Sequence, residues 1–273
     1  MRTLSLSPLT VIDAAPAEVI AAAAAGGFDA VGLRVVQLPS PPPTVPIAGD
    51  DALIADLRCR ADDHGLRVFD IEAIIVTPEP DVQHQRRILD AGARLGARNV
   101  LVIVADEDPA RRTDNLGRLA ELAAEFGLRA GIEFMPFRAI RSLPEALDLV
   151  KRLNQPNLAI VVDALHLSRS GGGPHDLTDL PPELLAYIQL CDAPATAPAF
   201  DDLPKESRED RLLAGAGGLW LPELLATLPE DCPITVEIPV RALKQVPPVE
   251  RGRIVGRETR AYLAGQVART RGA

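Results

Sequence analysis

Leu122–Met135 reads LAAEFGLRAGIEFM: a helical run, a glycine at Gly127, then a short apolar run carrying a carboxylate, Glu133. The same phrase recurs as AAAAAGGFDAVGLRVV (Ala21–Val36), RADDHGLRVFDIEAIIV (Arg60–Val76) and GARLGARNVLVIVA (Gly92–Ala105). Gly27, Gly65, Gly96 and Gly127 stand where a helix closes in a left-handed turn, which glycine adopts without steric cost. The runs that follow are rich in Val and Ile and alternate only weakly, as expected of parallel strands covered on both faces.

Working outward from these phrases, strands are expected near 3–9, 30–36, 67–76, 99–105, 129–135, 158–166, 186–192 and 233–239. Helices are expected near 15–26, 50–64, 81–96, 108–126, 142–153, 176–186 and 219–228, with a last one near 248–270. Pro16, Pro109, Pro144 and Pro222 fall close to helix starts, where a missing N–H is harmless. Eight strands alternating with eight helices is the arithmetic of an α/β fold, the (β/α)8 barrel, and 1–273 reads as a single barrel domain. A doubly wound sheet needs no eighth repeat, and no Gly-x-Gly-x-x-Gly follows the first strand. QLPSPPPTVPIAGD (37–50) and APATAPAFDDLPKESRED (193–210) read as long loops, both following a strand and so both on the catalytic face.

The 273 residues carry a formal charge of −9, and 47% of them are apolar, enough for a sizeable core. That charge repels phosphate backbones and no dense Lys/Arg cluster offsets it, so no nucleic-acid partner is expected. No run approaches the roughly 18 apolar residues of a spanning helix, and the first residues lack a signal-peptide pattern, so no membrane partner is expected. Three scattered cysteines (Cys59, Cys191, Cys232) suit a reducing compartment. A cytoplasmic protein is expected, and a homo-oligomer is compatible with the sequence.

Barrels place their chemistry at the carboxyl ends of the strands. Read in order, those ends offer Arg34, Glu72, Glu133, Asp163 with His166, Gln189 with Asp192, and Glu237. Any one of them alone could be an ion pair or a loop cap. Together, strands five to eight send an oxygen ligand each to one mouth, and three carboxylates without a neighbouring Lys repel unless a cation neutralises them. A metal held by Glu133, Asp163, Gln189 and Glu237 is therefore expected. These hard donors favour Mn²⁺ or Mg²⁺, with Co²⁺ an option and Zn²⁺ a weaker one for want of thiolates or a histidine cluster. His166 fits a fifth ligand, a neighbour of the ligands or an acid–base group. Arg34 and Glu72 read as substrate-binding groups; His64, His84 and His175 are given no role. Trp220 and Phe200 could wall a substrate or, for Trp220, pack in the core. Cys191 reads as a packing residue.

The segments AAAGGFDAVGL, GLRVFDIEAI, GIEFMPF, VVDALHL, YIQLCDAP and VEIP resemble the xylose isomerase-like barrel family of sugar isomerases, epimerases and related dehydratases. The resemblance implies a divalent-metal site at Glu133, Asp163, Gln189 and Glu237, with His166 three residues after Asp163 beside it. Sugar epimerases of the family usually carry His on strand seven, and Gln189 followed by Asp-Ala-Pro is more similar to bacterial 3-dehydroshikimate dehydratases. The family's arginine before the turn into helix seven maps onto SREDRLLAGAGGLWL, where Arg208 and Arg211 are the candidate substrate-binding residues.

The first functional expectation is a metal-dependent isomerase or epimerase of a sugar or keto-polyol. It would transfer a proton through a metal-stabilised enediolate, with Glu133 or Glu237 as base. The alternative is a dehydratase, a lyase acting on a hydroxy-keto acid or cyclitol, with His166 as acid or base and Arg208 holding a carboxylate. The partner in either case is a small carbohydrate or keto-acid. An endonuclease of the same fold would need many more histidines and a basic groove. A non-catalytic barrel would have no reason to keep mutually repelling carboxylates together.

Overall fold

The computed structural model describes residues 2–38, 45–178 and 180–272, so Pro39–Thr44 of the proline-rich stretch lie outside the described residues. Eight parallel strands close in chain order, β1 (Leu4–Leu6), β2 (Ala30–Arg34), β3 (Arg67–Val76), β4 (Asn99–Val104), β5 (Arg129–Glu133), β6 (Leu158–Asp163), β7 (Leu185–Leu190) and β8 (Ile234–Val236). Closure is made by β1 against β8, with Ser5 opposite Thr235 and Leu6 opposite Val236.

Local chemistry sets the helices. α1 (Pro16–Ala25), α2 (Asp51–Asp63), α3 (Val82–Leu95), α4 (Pro109–Glu125) and α5 (Leu143–Leu153) all follow a strand. Asp50, Asp81, Asp108 and Ser142 accept hydrogen bonds from the first-turn N–H groups of α2 to α5, the capping expected of such residues. Gly27, Gly65, Gly96 and Gly127 all adopt positive φ, as the sequence phrase requires. Asn154, at φ 49°, does the same work after α5.

The second half departs from expectation in several places. The sixth strand stops at Asp163 rather than running to 166, because the Asp163 carboxylate accepts from Leu165 N and His166 N and starts helix α6 (Ala164–Arg169) at once. Among the described residues no helix spans 176–186. Gly171–Gly173 and the prolines at 174, 181 and 182 leave only single 3-10 turns, Pro174–Leu177 and Pro182–Leu184, with Asp179 outside the described residues. The stretch 193–210, read as a loop, contains α7 (Leu203–Glu209), tied to α6 by paired Arg169–Glu206 bonds of 2.9 and 2.6 Å. β1 and β8 are shorter than expected; β1 ends where Ser7 caps a 3-10 turn at Pro8–Val11. α8 (Leu221–Thr227) and α9 (Pro248–Gly272) complete the ring.

The main core lies between strands and helices, while Ala73, Leu101, Ile103, Met135, Val161 and Tyr187 belong to a second buried cluster. α9 lies directly on α1. A Cβ on Gly256 would come within 2.2 Å of Gly26 O, and one on Gly252 within 2.3 Å of Ala22 O. Among the described residues no helix is long and apolar enough to cross a membrane.

Candidate active site

The side chains that alternate towards one face of each strand meet at the mouth. Glu133 ends β5, Asp163 ends β6, Gln189 lies on β7 and Glu237 follows β8, and all four are buried. One ligand atom each from Glu133, Asp163 and His166 lies within 4.8 Å of the others. His166 Nε2 is 3.8 Å from Glu133 Oε1, and the ring stacks edge-on against Phe137 at 5.6 Å between centroids.

Gln189 and Glu237 join this cluster by a different route. Gln189 Nε2 donates to Glu237 Oε1 at 3.0 Å. Arg211, itself fully buried, ion-pairs with Asp163 through Nη1 and with Glu237 through Nη2 at 2.9 Å. Its Nε donates to Ser207 O, so α7 anchors the guanidinium from behind. Of the two candidate arginines, Arg211 therefore enters the centre while Arg208 stays exposed on the rim of the cleft.

Glu72 and Arg34 come from β3 and β2. Glu72 Oε1 accepts from Ser7 Oγ at 3.1 Å, and the same hydroxyl reaches Glu237 Oε1 at 2.9 Å. Arg34 Nη2 stands 3.7 Å from Glu72 Oε2. One layer deeper, Tyr187 Oη donates to Asp70 Oδ2 at 3.1 Å. Gly32 leaves room for that acid, because a Cβ there would sit 2.6 Å from Asp70 Oδ1. The sequence reading missed this pair. Asp70 and Tyr187 stand two residues before Glu72 and Gln189, so the alternation rule would have found them.

Burial dominates the electrostatics. It pushes Glu237 up to about 8, Glu72 up to about 7 and Asp70 up to about 7, with neighbouring carboxylates adding to the rise. Burial, then Glu237 and Asp163, hold Glu133 well above the ordinary range. Asp163 is the exception: burial opposes its charge, but Arg211 and His166 outweigh it and lower its pKa. Burial holds His166 down at about 4, a neutral imidazole at neutral pH. The Cys191 thiol is pushed up to about 12 by burial, which agrees with a packing role.

The residues present fit a divalent cation. Buried Glu133, Asp163 and His166 bring one ligand atom each within 4.8 Å of the others, burial disfavours the charge of Glu133 and Glu237, and His166 Nδ1 and Gln189 Oε1 are both buried without a hydrogen-bond partner. A cation here would have oxygen donors from Glu133, Asp163, Gln189 and Glu237, with the His166 imidazole beside them. Asp192, read as a strand-end polar group, has a loop-building role instead. Its carboxylate accepts from Gly215, Gly217 and Leu219 N–H groups, each at 3.0 Å, and shapes the turn after Arg211.

Above the centre opens a cleft of ≈1330 Å³. Its lining includes Arg34, Arg138, Lys205, Arg208, Arg241 and Lys244, set among acids such as Asp13, Glu79, Asp81 and Glu209. His84 also lines it. Trp220 is half-buried against the core, and Phe200 is 63% exposed and does not wall the cleft.

A closed eight-stranded barrel with an acidic cluster at the carboxyl ends of its strands gathers its polar groups where barrel enzymes carry their chemistry. Residues 20–260 match the family described as xylose isomerase-like TIM barrel, and the chain belongs to that family. It is 36% identical over 152 residues to the 3-dehydroshikimate dehydratase of Pseudomonas aeruginosa, a match covering 54% of this chain and 24% of that relative. The matched stretch thus spans about a quarter of the relative's length. Among solved structures, an IOLI protein with a bound zinc atom superposes with a TM-score of 0.80 at 16% identity, over 97% of this chain and 99% of that one. The D-allulose 3-epimerase of Methylomonas sp., in complex with D-allulose, gives 0.70 at 16%, over 97% of both chains. At these identities the two structural likenesses are of fold. The comparisons support an enzymatic family with dehydratase and epimerase members.

Proposed function

We propose that the protein is a metal-dependent dehydratase, a lyase that removes water from a carboxylate-bearing hydroxy-ketone such as 3-dehydroshikimate. The observation that carries this reading is that one cleft is lined by both an imidazole, His166, and a carboxyl outside the expected ligand set, Glu72; burial keeps the first neutral at neutral pH and pushes the second up to about 7. Elimination needs both a proton acceptor and a proton donor. The identity with the Pseudomonas aeruginosa dehydratase supports the same reaction class.

Glu133, Asp163, Gln189 and Glu237 would hold the cation, with His166 close by. When bound, that cation supplies Lewis acidity towards a carbonyl and its neighbouring hydroxyl, and Mn²⁺ or Mg²⁺ suits the oxygen-rich donor set. His166 Nε2 takes the proton from the carbon next to the carbonyl. The electron pair left behind forms the new C=C bond as the C–O bond of the β-hydroxyl breaks. Glu72 gives its proton to the departing oxygen, which leaves as water. Arg211 keeps Asp163 and Glu237 oriented, and apolar side chains such as Met135 and Phe137 line the cleft and limit water around the reacting atoms.

An epimerase is the second reading, favoured by the likeness to the D-allulose 3-epimerase fold and by Glu133 and Glu237 on the strand ends. The two are separated by incubating Mn²⁺-loaded protein with 3-dehydroshikimate and, separately, with D-allulose. Ultraviolet absorbance of an aromatic dihydroxybenzoate product is expected with the first and no sugar interconversion with the second. The reverse pattern would replace the dehydratase with the epimerase.

A further inference from the structure

We propose that Arg138 is the specificity-determining residue that recognises the substrate's carboxylate, an inference that rests on the dehydratase reading of this site. Among the cations lining the cleft, most are already committed. Arg34 has Glu72 at 3.7 Å, and Arg211 has Asp163 and Glu237. Arg241 pairs with Asp210, and Arg251 pairs with Asp13 at 2.7 Å. Lys205, Arg208 and Lys244 are exposed and keep their water.

Arg138 differs from all of these. Among the described residues it is half-buried and its Nε, like that of Arg34, is buried with no hydrogen-bond partner, but unlike Arg34 it has no carboxylate beside it. A guanidinium presents five donors in a planar fork that matches a carboxylate edge to edge. A half-buried fork with an unmet donor gains more from an anion than an exposed one, because it has less water to give up and a lower local dielectric around it.

The position is also built. Arg138 stands five residues after Glu133 in the turn between β5 and α5. Its N–H donates to Met135 O at 2.9 Å, Met135 N–H donates to Ile140 O at 2.9 Å, and Ala139 N–H reaches Val104 O at 3.3 Å. The preceding residue, Phe137, is the one that lies edge-on to His166. The turn thus holds Arg138 one residue from the ring that packs on the imidazole, with both Arg138 and His166 lining the same cleft. Leu101, Ile103 and Met135 line the cleft beside it and offer an apolar wall to the carbon skeleton of the ligand.

The test compares two probes that differ only in the carboxylate, 3,4-dihydroxybenzoate and catechol, by calorimetric titration of the Mn²⁺-loaded protein. Wild type should prefer the carboxylate probe. R138Q should weaken 3,4-dihydroxybenzoate by about 10- to 100-fold, the scale of a charged hydrogen bond, and leave catechol unchanged. R138K, which keeps the charge but not the fork, should retain part of the preference. A loss of fold or of the metal would weaken both probes together, and melting curves of each variant identify it. A wild-type protein with no preference, or an R138Q protein that keeps it, overturns the proposal. If the preference depends on Arg138 but 3-dehydroshikimate is not turned over, the anion site stands and the dehydratase reading falls. If 3-dehydroshikimate is turned over and R138Q keeps the preference, the dehydratase reading stands and the anion site falls.

Discussion

Arg211 Nη2 lies 2.9 Å from Glu237 Oε2 while Nη1 of the same guanidinium ion-pairs with Asp163, so one buried cation neutralises two of the acids at the mouth. Removing one partner of such a cluster leaves uncompensated buried charge, at a cost of about 3–5 kcal/mol. Arg211→Gln should therefore melt well below wild type. Mn²⁺ should raise its melting temperature more than it raises that of wild type, because the ion takes over the lost neutralisation. Thermal denaturation of both proteins with and without Mn²⁺ measures the difference, and equal shifts would show that Arg211 and the ion do not share these acids.

The ion pair of Glu133 is with His166 of the same cluster, and burial, then Glu237 and Asp163, disfavour its charge, so a cation would relieve it. Glu133→Gln should lower metal affinity by about 10- to 100-fold or more, on the scale by which even outer partners of a ligand act. Elemental analysis after dialysis reads this directly. Undiminished metal in the variant would move the site elsewhere.

The proposed chemistry has a defined pH window. His166, at about 4, must be unprotonated to accept, and Glu72, at about 7, must be protonated to donate. Dehydration should rise through the first value, hold between the two and decline above the second. His166→Gln should cut kcat by about 10²- to 10⁴-fold. Glu72→Gln should leave residual activity without the alkaline decline. A kcat profile flat from pH 6 to 9 in wild type would remove Glu72 from the donor role.

Asp70 links the layer below the site to stability. Its folded pKa, raised to about 7 from an ordinary 3.8, means that the native state binds a proton the unfolded state releases between those values. Its contribution is thus complete below about pH 4, declines as pH rises to about 7 and is absent above. Asp70→Asn should flatten that part of the stability curve in urea titrations. An unchanged slope would mean that Asp70 is ionised in the native protein.

The contact between α1 and α9 depends on missing side chains. Gly256→Ala would place a methyl 2.2 Å from Gly26 O, and the helices would have to part. Overpacking of this kind costs about 1–3 kcal/mol. The urea midpoint should fall accordingly, whereas Gly265→Ala, at a position with nothing within 4 Å, should leave it in place.

The barrel was legible because its signals are local. Gly27, Gly65, Gly96 and Gly127 each end a helix by their own backbone freedom, and an apolar strand reads the same wherever it packs. The acids at the strand ends were legible for the same reason. The sixth repeat was not, because Asp163 acts twice, as strand end and helix cap, and a six-residue helix leaves no periodicity to read. Arg211 and Arg138 depend on long-range geometry. Whether an arginine meets Asp163, 48 positions away, or meets no acid at all is decided by how the loops fold back, which spacing along the chain does not encode.

The seam between β1 and β8 also orders events during synthesis. Leu4–Leu6 can pair with Ala30 and Val31 as soon as β2 emerges, but its other edge finds no partner until Ile234–Val236 have been made. Until then the nascent chain carries an open strand edge, a surface that invites pairing with other chains. Three residues are a short edge to leave exposed. A ribosome stalled before residue 234 would hold an unclosed sheet, and emergence of β8, with α9 behind it, turns that sheet into a ring.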